Sequence, residues 1–326
     1  MCKAKKCFLS SLLLIIFLLT GWVGSVQCQD KYPSRAIDII VPFAPGASTD
    51  LWTRITADYL KKKWGVPVNV VNKPGGNTVP ACLEVYNSKP DGYTLLADNN
   101  PSSSMTPIVV KSLPYNIMDR TFIAMTAIVP MVIIVTSTSP YKSLKDLEAE
   151  AKKDPGTFTW TSLGGAGAQD FTCRQFIKAI GVDVHKTKPI MSQGGAHAVT
   201  LTAGGHVTLG VGTTSGAKPA ISGGLVRPLA ITSKTRDPDL PDVPTTIELG
   251  YPSVSCLYWI GISGPPKMAS HIVDTLAKAL QEMLKDPAVL SKLKNIMALP
   301  FYHDAKEMKE YVLKETEEVA ELWGLK

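Results

Sequence analysis

Motifs that mark catalysis are almost absent. In 326 residues there is no Gly-x-Ser-x-Gly turn, no His-Glu-x-x-His and no Cys-x-x-Cys, so neither a serine-type nucleophile nor a metal site has motif support. None of the five histidines, His185, His197, His206, His271 and His303, sits in a nucleophile motif. Basic runs are equally scarce. Past the first ten residues none is longer than Lys61–Lys63, and charged residues make up only 19% of the chain, which is no nucleic-acid signature. The one apolar run near the start is too short to span a bilayer comfortably, and no later one is long enough. What is present, 45% hydrophobic and 7% aromatic residues, excludes a disordered chain, a collagen and a coiled coil. The length suggests about two domains.

The first thirty residues stand apart. Lys3, Lys5 and Lys6 precede an apolar run, Phe8 to Leu19, followed by small residues up to Cys28. This pattern predicts a secretory signal peptide over residues 1–28 and a periplasmic destination. Acylation at Cys28 is disfavoured by Gln27, where lipoprotein processing wants a small residue. Removing the segment takes three lysines and no acid, so the net charge falls from +6 to +3. Cys82, Cys173 and Cys256 remain, and an odd number leaves at least one free thiol. Three small buried residues are the simplest account of them.

The remaining chain alternates strand-like and helix-like segments. Ile37–Val41, Val66–Val71 and Tyr93–Ala97 read as strands around helices near 50–63 and 78–87, with Leu51, Trp52, Ile55 and Tyr59 on the first helix's inner face. Such a β-α-β-α-β path predicts a parallel sheet. Ser48 or Thr49 is placed to cap the first helix. A second set starts at a strand over Val132–Val135 and continues through strands at 158–161, 207–211 and 227–232. Ser143 with Asp146, and Asp304 with Glu307, form capping boxes, and Ser270 is placed to cap a late helix. The late helices have no evident sheet of their own, so they are expected to pack back on the first set. The fold class is therefore α/β: two α/β domains with a cleft and two crossing segments, residues 29–131 with 257–326 and residues 132–256.

A strand, a turn of small residues and a helix start recur four times: at Pro45-Gly-Ala-Ser-Thr49, Pro74-Gly-Gly-Asn-Thr78, Ser162-Leu-Gly-Gly-Ala-Gly-Ala168 and Gly212-Thr-Thr-Ser-Gly216. In open α/β sheets ligands bind at the carboxyl ends of strands. Helix starts there offer unpaired N–H groups and about half a positive charge, while Ser48, Thr49, Asn77, Ser162, Thr213 and Thr214 add short polar groups. Any single turn could serve capping alone; four of them favour an anion site. Gly165-Ala-Gly167 imitates a dinucleotide fingerprint, but Asp170 stands where its third glycine belongs and would repel a pyrophosphate.

These turns lie in a run of segments that resembles the Bug family of periplasmic solute-binding subunits of tripartite tricarboxylate transporters. The segments are Tyr32-Pro-Ser-Arg-Ala-Ile-Asp-Ile-Ile-Val-Pro-Phe-Ala-Pro-Gly46 with Ser48-Thr-Asp50 and Arg54, Val71-Asn-Lys-Pro-Gly-Gly76, Pro90-Asp-Gly-Tyr-Thr-Leu95, Pro228-Leu-Ala-Ile-Thr232, Leu240-Pro-Asp-Val-Pro-Thr245 and Trp259-Ile-Gly261. The resemblance implies a type II periplasmic-binding-protein fold that binds a small carboxylate and delivers it to membrane subunits, without catalysis, cofactor, metal or nucleic acid, as a monomer. It implies ligand contacts at Phe43, Gly46, Ala47, Ser48, Thr49, Asp50, Gly76 and Asn77 from one domain. From the other it implies Ser162, Gly165, Gly167, Ala168 and Thr213. Phe43 reads equally as a core residue. Ala47, Asp170 and the Met191–Gln193 loop depart from the family pattern. Asp50 and Asp170 either complement a helix dipole or meet an amine-bearing or neutral ligand. Alternatives are a ligand-presenting receptor for a sensor kinase and an exported enzyme.

Overall fold

The computed structural model describes residues 32–325; the expected signal peptide and Cys28 lie outside the described residues. The described chain opens on β1 (Ile37–Val41), α1 (Ser48–Trp64), β2 (Val68–Asn72), α2 (Val79–Tyr86) and β3 (Thr94–Asn99). β1 is apolar nearly throughout and buried, and it pairs in parallel with β2 and β3, as the alternation requires. A helical stretch over Pro101–Val109 leads into β4 (Thr121–Thr136). The other half of the molecule contains α3 (Leu144–Lys153), β5 (Thr159–Ser162), α4 (Ala168–Ala179), β6 (Lys188–Met191), α5 (Gly195–Ala203), β7 (Gly210–Thr213), α6 (Thr214–Ser222) and β8 (Val226–Ile231). The chain returns through β9 (Leu257–Gly264), α7 (Ser270–Met283), α8 (Pro287–Asn295), β10 (Leu299–Asp304) and α9 (Ala305–Leu322). No helix among the described residues is long and apolar enough to cross a membrane.

β4 joins the two halves. Its first part pairs antiparallel with β9 and β10, its last part with β7 and β8. The change of partner falls at Pro130, opposite Leu257, with Val129 opposite Tyr258. Proline has no N–H to donate, so it is tolerated where one ladder ends and another begins. Each lobe has its own core: Ile40, Leu96, Met125, Trp259, Met308 and Val312 in one, Val132, Ile134, Val199, Val226 and Ile231 in the other.

Several expectations need correction. The strand expected over Val132–Val135 is the end of a 16-residue strand; Thr126 and Pro130 break its apolar run in the sequence. The late helices do bring a strand of their own, because β10 forms the edge of the large sheet, where Pro300 is tolerated. α1 buries Trp52, Thr53, Thr56, Ala57 and Leu60, leaving Leu51, Ile55 and Tyr59 half-buried. Thr53 can face inward because its hydroxyl donates to the Thr49 carbonyl at 2.6 Å. Neither Ser48 nor Ser270 caps a helix; Ala47 and Ala269 hold those positions without a side-chain bond. Both capping boxes, at Ser143 and Asp304, are present.

A buried polar network fixes the stretch after β3. Asp98 and Arg120 pair at 3.3 Å with both side chains wholly buried, and Ser102 and Ser103 donate to Asp98 at 2.6 and 2.7 Å. Glu315 of α9 accepts from Trp259 Nε1 at 2.9 Å and from Asn100 and Ser104. Burial pushes its carboxyl up to about 7, against those bonds. Pro101 is held between the two anchors.

The β9–β4 contact leaves no room for a side chain at Gly261, where a Cβ would lie 2.4 Å from the Ala124 carbonyl oxygen and 2.9 Å from Met125 Cα. Both obstacles are backbone. Gly261→Ala is expected to cost about 2 kcal/mol or more, seen as a lower urea midpoint at unchanged slope; an unchanged midpoint would refute this packing.

Candidate functional site

The carboxyl ends of the strands in both lobes face two adjoining cavities, which share Phe43, Pro101 and Leu163 in their walls. The larger has a volume of about 530 Å³ and is lined by Pro42, Phe43, Pro74, Gly76, Asn77, Ala166, Met191, Ser192 and Gln193 among others. The smaller, about 80 Å³, is bounded by four helix starts: Ala47 and Ser48 at α1, Gln169 at α4, Gly195 and Ala196 at α5, and Thr213 and Gly216 at α6. Met131 of β4 and Tyr258 of β9, from the two crossing strands, also line it. The first N–H groups of a helix have no acceptor within it. Four such ends, each carrying about half a positive charge, therefore favour an anion in the small compartment. No Asp, Glu, Lys, Arg or His lines either cavity.

Ser48 uses its hydroxyl across the lobes instead of capping α1. Its Oγ lies 2.9 Å from Thr213 Oγ1 and 2.7 Å from Ser215 Oγ. Thr213 caps α6 by accepting from the Gly216 N–H at 3.1 Å.

Two buried carboxylates support the walls. Asp50 accepts from the Gly46 N–H at 2.8 Å, from Asn72 Nδ2 at 2.9 Å and from Arg54 Nε at 3.0 Å. Burial raises its pKa, but these bonds and the Arg54 charge outweigh burial and hold it below the usual carboxylate value. Asp170 accepts from the Leu163 N–H at 2.8 Å, the Gly165 N–H at 3.0 Å and Ser162 Oγ. There burial wins and the pKa is raised. Each carboxylate fills its own turn, so the amides of Gly46, Leu163 and Gly165 are already taken.

Of the residues singled out from the sequence, Phe43, Gly46, Ala47, Ser48, Gly76, Asn77 and Thr213 line the cavities. Thr49, Asp50, Ser162, Gly165, Gly167, Ala168 and Thr214 line neither. Thr49 bonds the Tyr258 hydroxyl at 2.7 Å. Gly165 faces Val109 and Trp323; a Cβ there would lie 2.9 Å from Val109 Cγ1. Gly167 abuts Leu163 and Asp170, and Ala168 is buried. Asn77 and Thr78 adopt φ of 50° and 67°, an outlying conformation for a β-branched residue. Thr106 holds them by donating to the Asn77 carbonyl at 2.9 Å.

The sequence reading missed Pro101, Leu163, Gln169, Gly195, Met131 and Tyr258 as wall residues. Gln169 is 5% exposed and its Nε2 has no partner. Gln193-Gly-Gly195 repeats the strand–turn–helix pattern, but β6 before it, Lys188-Pro-Ile-Met191, does not read as a strand. The three cysteines are free and buried, and burial pushes their thiols up, away from reactivity. No group of three or more His, Cys, Asp or Glu side chains able to hold a metal occurs among the described residues.

Residues 52–322 match the profile of the tripartite tricarboxylate transporter family receptors. Protein BugT of Bordetella pertussis is 32% identical over 282 residues, 84% of each chain. The structure of the periplasmic binding protein BugD superposes with a TM-score of 0.80 at 29% identity, covering 90% of this chain and 98% of that one. R. palustris Rpa4515 with adipate superposes with a TM-score of 0.83 at 26% identity, covering 90% and 98%. The two α/β lobes with two crossing segments are the fold that the sequence led us to expect.

Asp50 gives the wall a pH dependence of known sign. Its folded pKa is depressed, so its contribution is complete above the unfolded pKa and is lost as pH falls through the folded one. Asp50→Asn should cost about 2 kcal/mol near neutrality, and the gap from the parent should close below pH 4 in urea titrations; a gap that widens in acid would refute this role.

Proposed function

The chain belongs to the tripartite tricarboxylate transporter family receptors, and from that premise we propose that it captures a small carboxylate between its two lobes in the periplasm and presents it to the membrane subunits of such a transporter. One observation carries the reading: four helix starts, drawn from both lobes, surround a compartment without a charged side chain. A carboxylate there takes up N–H groups from each lobe at once, so binding favours the state in which the lobes are together. The neighbour that holds adipate supports the ligand class.

We assign the head contacts to Ala47, Ser48 and Thr213, with Gly46 shaping the wall beside them and Phe43, Gly76 and Asn77 facing the rest of the ligand. Thr49, Asp50, Ser162, Gly165, Gly167 and Ala168 act from behind the wall. The lobes comprise residues 29–131 with 257–326, and residues 132–256, and the receptor acts as a monomer. Its walls offer no nucleophile beside a base, so the ligand leaves as it entered.

Calorimetry with propanoate, hexanoate, succinate, adipate and citrate tests the proposal. At least one acid should bind saturably at one site and emerge unchanged. At 100 times its dissociation constant it should add about 2.7 kcal/mol of stability. Ser48→Ala, which removes the hydroxyl bridge between lobes, should weaken that binding about tenfold. Silence from every acid, or its conversion, would overturn the reading.

A further inference from the structure

We propose that the cleft selects a monocarboxylate with an apolar body, its head in the small compartment and its body in the larger chamber. This rests on the carboxylate-receptor reading and narrows it.

The head compartment is much the smaller of the two cavities. Its volume is about 80 Å³, against about 530 Å³ for the chamber beside it. Its donors are also few. Asp50 and Asp170 have taken the amides of Gly46, Leu163 and Gly165. What remains is the uncapped first-turn N–H groups of these helices, that of Gly216 being held by Thr213, and the side-chain amide of Gln169. That Nε2 is a buried donor with no partner in the protein, on a residue that lines this compartment. An unpaired buried donor is costly, and a carboxylate oxygen would satisfy it.

The chamber beyond has a different character. Phe43, Pro101, Leu163, Ala166 and Met191 supply apolar surface, and the polar side chains among its lining, Asn77, Thr78, Ser192 and Gln193, are uncharged. No charged side chain lines it, and the carboxylates behind its walls are already engaged. Asp50 is paired with Arg54 at 2.9 Å. Arg174, the cation near Asp170, stacks on the Trp323 ring at 4.3 Å instead of facing the chamber. A second carboxylate in the chamber would give up part of its water without gaining a cation, which is unfavourable. A hydrocarbon or aromatic body gains from the same surface.

Titration calorimetry on the mature chain should rank hexanoate and 3-phenylpropanoate about tenfold or more above propanoate, adipate and hexanamide, with citrate weakest. Tighter binding of adipate or citrate than of hexanoate overturns this inference and leaves the carboxylate reading standing; silence from every acid overturns both. Met191 is 62% exposed at the chamber wall, so Met191→Lys should fold normally and move the adipate-to-hexanoate ratio about tenfold toward adipate. An unchanged ratio counts against the chamber as the seat of the body. Gln169→Leu should weaken every acid about tenfold while keeping their order; unaltered affinities remove Gln169 from the head site. If that variant does not fold, the ranking by the parent and by Met191→Lys still decides.

Discussion

A backbone N–H at the start of a helix has no acceptor inside that helix, and this requirement organises the cleft. In the loops just before α1 and α4 the chain's own carboxylates take the backbone donors, Asp50 the Gly46 amide and Asp170 the amides of Leu163 and Gly165. At α1, α4, α5 and α6 the helix starts are instead turned toward one small void. Positive potential arises there from dipoles alone, without a lysine or arginine at the wall. Backbone donors are held by the fold and lose little freedom when they engage an anion. That suits a protein that has to take up its guest and let it go.

The wall stays in place because polar groups are buried under it. Asp98 and Arg120 face each other in the core beneath the Pro101–Val109 stretch, and Glu315 reaches the same stretch from α9 through Asn100 and Ser104. Ion pairs of this kind add little net stability, because desolvation offsets their attraction. Here they fix where Pro101 stands, and Pro101 is shared by both cavities. Thr106 does the same for the strained Asn77–Thr78 backbone on the opposite wall.

Much of this was legible in the residues. The first strand and helix, both capping boxes and the recurring small-residue turns follow from local pattern, and local pattern acts over a few residues. The long β4 was not, because a threonine and a proline interrupt an apolar run that only its partners in two sheets make continuous. β6 and β10 were hidden by Pro189 and Pro300 for a similar reason. The turn at Ser162–Ala168 was seen but read as open to a ligand; whether Asp170 folds back onto its own turn depends on three-dimensional closure that spacing does not encode. Gln169 carried no signal, since a glutamine in a first helical turn is usually solvated and its burial depends on packing that spacing does not encode.

β4 is hydrogen-bonded into both lobes along almost its whole length, and β9 runs beside it to the point of crossover. The lobes are thus joined by a paired ribbon and not by slack linkers. Such a ribbon can be twisted but not freely swung, and twisting it stores elastic energy that drives it back. A sheet that is continuous across the crossover thus sets the rest position of the two lobes, and any change in their angle has to be taken up as twist in that ribbon.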